Sequence, residues 1–279
     1  MAGQVVSAAP PQHLVPPSRF SVLWGARRIL ALLIGRDLKV KFSDSVLGYL
    51  WSILDPLMLA GVYWLVFTKL MPRQVGEEPY IVFLLCAMLP WQWANGSMRA
   101  SMRALSKDAK LVRSTNLPRE IWVLRTVGSK AIEFLLSIPV IVFFAVVTHA
   151  DLNWHVVFVP LAFLIQTLLL VGVGLLLAPL AILYGDVERA INAVMRLLFY
   201  LSPVIYGTHD VARRLGDTIA GIYILNPFAG IFDLYRASFF PDQWAGWDAV
   251  AVSAVIAVLT FLAGAMVFRR LEGAVLKEI

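Results

Sequence analysis

Six apolar segments, at roughly 46–70, 81–99, 126–148, 156–184, 190–207 and 247–268, restrict what this chain can fold into. Each approaches or exceeds the length of about 20 residues that a helix needs to cross the hydrocarbon core of a bilayer. A water-soluble domain of 279 residues would need a charged exterior, yet 59% of the residues are hydrophobic and 15% are charged. The expected fold class is therefore all-α, a polytopic membrane protein with six transmembrane helices.

The cations fix the expected orientation. Those of 19–41, 99–125, Arg189 and 269–277 fall on one side of the six segments. The other side holds Lys69, Arg73, Arg213, Arg214 and Arg236. Positive-inside bias places both termini and the 100–125 loop in the cytoplasm of an inner or plasma membrane, as an even number of spans also requires. The net charge of +6 thus reads as topology, and no nucleic-acid partner is expected. Residues 1–17, with Pro10, Pro11, Pro16 and Pro17 and no apolar core of a signal peptide, are expected to be a retained, disordered tail. The lone Cys86 excludes an intrachain disulfide, and no internal repeat supports an inverted-repeat transporter.

Residues 18–45 form a cytoplasmic amphipathic stretch ahead of the first span. At about 100° per residue Arg28, Arg36 and Lys39 share one arc, while Phe20, Leu23, Leu30, Leu33, Ile34 and Leu38 fall mostly opposite. Trp24 suits the interface, and Lys41 and Arg27 lie off the stripe. Such cations serve as a topology anchor, as contacts to anionic headgroups or an acidic partner, or as both.

Several residues inside the spans carry two readings. Asp55 before Pro56 either caps a resuming helix or faces a polar cavity. Tyr49, Trp51, Tyr63, Trp64, Trp91 and Trp93 are individually belt or packing residues, but collectively they would form a track on which sugar rings stack. Lys130 and Glu133 pair at i,i+3, and Arg196 is an intramembrane cation without an evident partner. Gly172 and Gly174 mark close helix packing, and Gly185-Asp186-Val187 a turn. In the outer segment 208–246, Asn226-Pro227 starts a helix whose Phe228, Ile231, Phe232 and Tyr235 share an apolar face, which predicts a re-entrant dip. No glycine precedes a lysine, so a Walker A loop is absent. Neither hydrolase motifs nor a cytoplasmic acidic cluster occurs, and His149, Asp151 and His155 lack a fourth ligand for a metal.

Four stretches together resemble the membrane subunit of type-2 ABC exporters, most closely the branch that exports O-antigen, capsule, teichoic acid or cell-wall galactan. They are RDLKVKFSDSVLGYLWSILDP (Arg36–Pro56), the basic loop Arg103–Arg125 with Asn116-Leu117-Pro118-Arg119-Glu120, Ser202-Pro203-Val204, and Asn226–Arg236. The resemblance covers about residues 20–270 and implies a homodimeric permease without enzymatic activity of its own. ATP and Mg²⁺ would be bound by two copies of a separate ATPase, and a lipid-pyrophosphate-linked glycan would pass between the permeases among membrane lipids.

It implies further that a coupling loop over 103–120, with a short helix near 106–114, meets the ATPase through Lys107, Lys110, Leu111, Arg113, Asn116, Pro118, Arg119 and Glu120. Headgroup contacts would lie at Arg28, Arg36, Lys39 and Lys41. An outer gate would use Asn226, Pro227, Phe228, Phe232, Tyr235 and Arg236. Asp55 departs from the Asn more usual there. Alternatives are a small-molecule or drug exporter of the same superfamily, or a membrane-embedded lipid-glycan processing protein, which would need acidic catalytic residues.

Overall fold

The computed structural model describes residues 19–43, 50–66, 76–115, 117–244 and 246–278. The tail, Tyr49, Asn116 and the side chains of Asp55 and Pro56 lie outside the described residues. Every regular element among those residues is helical. In order they are α1 (Arg19–Gly25), α2 (Arg27–Ser43), α3 (Trp51–Trp64), α4 (Tyr80–Met102), α5 (Ala109–Ser114), α6 (Glu120–Val147), α7 (Val159–Leu183), α8 (Val187–Leu201), α9 (Thr208–Leu215), α10 (Asp217–Tyr223), α11 (Pro227–Ala237) and α12 (Trp247–Glu278).

Among the described residues three helices are long and apolar enough to cross a membrane: α6, α7 with the 3₁₀ turn Trp154–Phe158 that leads into it, and α12. The other expected spans differ in instructive ways. α4 has 23 residues, but Gln92, Asn95, Ser97 and Arg99 break its apolar run. Its first two thirds are buried on every side, with Val82, Phe83, Leu84, Leu85 and Met88 wholly inaccessible. A helix apolar all round belongs at the centre of a bundle, and α4 packs against α3, α6, α7, α8 and α11. α8 has only 15 residues and ends at Leu201. Expected to run helical to 207, it stops because Ser202 precedes Pro203 and takes an extended conformation. At 1.5 Å per residue α8 spans about 22 Å, short of the roughly 30 Å hydrocarbon core.

α7 and α12 form the most extensive pair, and glycine makes their approach possible. A Cβ at Gly172 would stand 2.5 Å from the Phe261 backbone nitrogen, and one at Gly264 would strike the Gly172 carbonyl. Small residues at crossing points let membrane helices gain dispersion contacts. Gly172→Ala is therefore expected to lower stability by about 1–3 kcal/mol, read as a lower unfolding temperature of the purified protein.

The N-terminal stretch expected as one interface helix is two, broken at Ala26. α2 packs on α6, with Ile34 lying over Gly128. At the other end of the bundle α11 begins as expected: Asn226 Oδ1 accepts from Phe228 N at 3.0 Å, and Pro227 takes the first position. The sequence gives α11 one apolar face, but Phe228 through Ala237 are buried on all sides. Asp233 and Arg236 of α11 find partners inside. The Thr208 hydroxyl donates to Asp233 at 2.7 Å, and Arg236 is fully enclosed.

Candidate functional site: a cleft along α4 and α8

One face of α4 carries Met88, Trp91 and Gln92, Asn95 and Gly96, and Arg99 on successive turns, with Arg103 just past its end. Opposite it α8 presents Glu188, Asn192, Met195 and Arg196, Phe199 and Tyr200. Two recesses open along this seam. One, of about 290 Å³, lies between α3, α4 and α8 and is lined by Tyr63, Trp91, Gln92, Asn95, Arg196, Phe199 and Tyr200. The other, of about 780 Å³, lies toward the loop end and is lined by six cations (Lys41, Arg99, Arg103, Lys107, Arg125, Lys130) and four carboxylates (Asp37, Asp108, Glu133, Glu188). Arg99 lines both recesses. The surplus of positive charge in a concave wall attracts anions.

In the smaller recess aromatic rings alternate with groups that donate and accept hydrogen bonds. Trp91 meets Phe199 at 5.7 Å and Phe228 edge-on at 5.3 Å, and Tyr63 lies 6.1 Å from Phe199. Arg196 is exposed and makes no ion pair among the described residues. Of the six aromatics expected to form a track, Tyr63 and Trp91 line this recess. Trp51 and Trp64 are exposed on α3. Trp93 lies outside this recess: one position on from the cleft face, it stacks with Phe163 at 4.9 Å and Phe134 at 5.3 Å in the core. Phe199 lines the recess without having been expected there. Its signal in the sequence was the pairing of an α8 face, 192, 195, 199, with an α4 face, which needs the fold to be seen.

The larger recess is built on an ion cluster. Arg125, 3% exposed, donates to both oxygens of Asp37 at 2.5 and 2.6 Å and to Asp108 at 2.5 Å. Arg36 reaches the same Asp108 at 3.4 Å. Lys130 and Lys41 both donate to Glu133, at 2.9 and 2.8 Å, and Arg103 pairs with Glu188. The i,i+3 pair expected from the sequence is thus present, with a third member from α2. Burial works against ionisation of Asp108, but the Arg125 and Arg36 guanidinium groups outweigh it and hold its carboxyl below the usual carboxylate range. The sign follows: Asp108 remains ionised at neutral pH, and its stabilising contribution is lost only as pH falls below the ordinary carboxylate value.

Of the four cations expected at headgroups, Arg36 and Lys41 reach Asp108 and Glu133 of the same chain while their side chains stay 44% and 42% exposed. Arg28 and Lys39 remain exposed. The short helix of the basic loop starts at Ala109 rather than near 106, since residues 103–108 run as turns and the Asp108 carboxylate is engaged by arginines instead of capping α5. Lys107, Lys110 and Arg113 are exposed, Leu111, Pro118 and Arg119 half-buried, and Glu120 buried. Val112, 1% exposed, anchors α5 to the bundle.

Of the six expected gate residues, Asn226 and Pro227 open α11 and Phe228, Phe232, Tyr235 and Arg236 are buried within it. Arg236 donates to the carbonyls of Phe83 at 3.2 Å, Tyr206 at 2.9 Å and Val204 at 2.7 Å, its guanidinium 3.8 Å over the Phe83 ring. Asn226 also donates to Ser202 Oγ at 3.0 Å, and Tyr80 to the Ile205 carbonyl at 2.9 Å. The turn after α8 is thereby fastened to α4 and α11.

Comparison with known proteins gives a consistent picture. The family described as "ABC-2 type transporter" matches residues 29–240. The O-antigen export system permease protein RfbA of Klebsiella pneumoniae is 28% identical over 246 residues, covering 88% of this chain and 92% of its own. The protein of the same name from Myxococcus xanthus is 25% identical over 88% and 93%. The polysialic acid transport protein KpsM of Escherichia coli is 22% identical over 86% and 92%.

Proposed function

This chain belongs to the ABC-2 type transporter family, and from that premise we propose that it is the membrane permease subunit of a polysaccharide exporter. The observation that carries this reading is the cleft of rings and amides on α4 and α8, in a chain similar along nearly its whole length to O-antigen and capsule export proteins. Sugars offer C–H faces that lie on aromatic rings and hydroxyls that pair with Gln92, Asn95 and Arg196. The cationic recess at the loop end suits the phosphates of a glycan carried on a lipid pyrophosphate. Six spans with both termini in the cytoplasm put that recess on the cytoplasmic side. A second copy of the chain closes the open side of the cleft, completing a path between two permeases. Two copies of a separate ATPase, binding ATP and Mg²⁺, supply the work.

The exposed Lys110 and Arg113 on α5 are the contact through which that ATPase acts. Depletion of the protein is expected to strand lipid-linked glycan on the cytoplasmic side, read by lipid extraction and surface staining. Charge reversal with Lys110→Glu and Arg113→Glu should produce the same accumulation while the protein stays in the membrane at normal level. Unchanged surface glycan in the depleted strain would remove polysaccharide as the substrate. Unchanged export by the charge-reversed protein would remove only the coupling assignment.

A further inference from the structure

At the end of the bundle opposite the ion cluster a second cleft, of about 440 Å³, opens between α4, α6, α11 and the start of α7. Its walls are apolar: Phe134, Ile138, Ile141 and Val142 of α6, Val159 of α7 and Phe239 after α11. Its volume lies in the range of about 300–1,000 Å³ typical of small-molecule sites. A methylene takes up about the volume of a water molecule, roughly 30 Å³, which leaves room for a chain of about fifteen carbons.

Three polar features set it apart from an ordinary lipid-facing groove. Tyr235 and Ser238 line it, 5% and 2% exposed, and the buried hydroxyl of each has no hydrogen-bond partner. Buried hydroxyls ordinarily find one. Cys86 lines it as well, and Pro90 one turn on supplies no N–H to the Cys86 carbonyl. At the rim stand His149 and Asp151, and among the described residues neither lysine nor arginine lines the cleft.

We propose that this cleft is a binding site for one acyl chain of a zwitterionic ester lipid, with the ester near Tyr235 and Ser238 and the ammonium of its headgroup toward Asp151. The hydroxyls then donate to the ester oxygens. The chain lies along Ile138, Ile141 and Val142, and the lack of cations at the rim disfavours an anionic headgroup. The site lies across α4 from the seam with α8 and shares no lining residue with either of its recesses.

The full chain in nanodiscs of phosphatidylethanolamine, with a trace of that lipid bearing a mid-chain diazirine, provides the test. After photolysis the α6 segment 138–146 should carry about fivefold or more label than the bilayer-facing 255–266 of α12, and Val142→Trp should bring it down to the α12 level. Val142 is 52% exposed, so this change leaves the core intact. Equal labelling of the two segments in the unaltered chain would overturn the site. Displacement of the label by phosphatidylglycerol as readily as by phosphatidylethanolamine would overturn the headgroup assignment. A disulfide between two copies through Val142→Cys would give the face to a protein interface instead.

Discussion

Replacing Arg125 with alanine is expected to cost about 3 kcal/mol of stability and to lower ATP-driven export about tenfold. Arg125 of α6 touches both α2, through Asp37, and the loop that leads into α5, through Asp108. Removing one partner of a buried ion pair leaves the others charged and poorly solvated, which costs about 3–5 kcal/mol in a dry interior. Asp37 and Asp108 keep 20% of their side-chain surface exposed, so water screens part of that loss and the lower end applies. The functional part of the effect comes from geometry. A push on α5 reaches α6 through the Asp108–Arg125 pair, and the closer grip of Arg125 outweighs the longer Arg36–Asp108 contact in carrying it to α2 as one body. Arg125→Lys separates the two effects: an ammonium keeps the charge but lacks the fork that grips two carboxylates. Its thermal stability should fall less than that of the alanine variant, while coupling of ATP hydrolysis to export should fall nearly as far. Export of the lysine variant at the unaltered level, at equal amounts of protein, would show that α5 moves independently of α2.

How much of this was legible in the chain differs from element to element. The long apolar runs of α6, α7 and α12 and the helix start at Asn226-Pro227 follow from composition and local chemistry, and they appear where the sequence puts them. So does Lys130–Glu133, because i,i+3 neighbours meet whatever surrounds them. The ion cluster was hidden because its members are far apart in the chain. Asp37 and Arg125 are separated by 88 positions, and nothing local distinguishes Asp108 from any acid in a basic loop. Trp91 and Trp93 show the same limit at the scale of one helix. Two positions apart, they stand on different faces, so one lines the cleft and the other fills the core. Periodicity finds a face, but what that face meets is decided by tertiary packing.

Arg236→Met is expected to prevent accumulation of the folded protein, and this is the clearest test of what α11 does. The guanidinium, wholly enclosed, supplies the donors for three backbone carbonyls belonging to two separate segments, one in α4 and one in the turn after α8. Methionine matches the aliphatic stem of arginine and has no donor. Each abandoned carbonyl then costs about 1–3 kcal/mol, and the three together exceed half of the stability typical of a domain. Arg236→Lys retains the charge as a single compact ammonium, which cannot span carbonyls placed around a planar fork. It should fold in part, with a melting temperature between those of the unaltered and methionine proteins. Because the 204–206 turn follows directly from Phe199 and Tyr200, and Phe228 of α11 touches Trp91, slack in this fastening displaces the aromatic wall of the cleft. The lysine variant should therefore export less glycan per folded molecule than its residual stability alone would dictate. Equal export per folded molecule would confine Arg236 to holding the fold, and α11 would then carry no part in shaping the path.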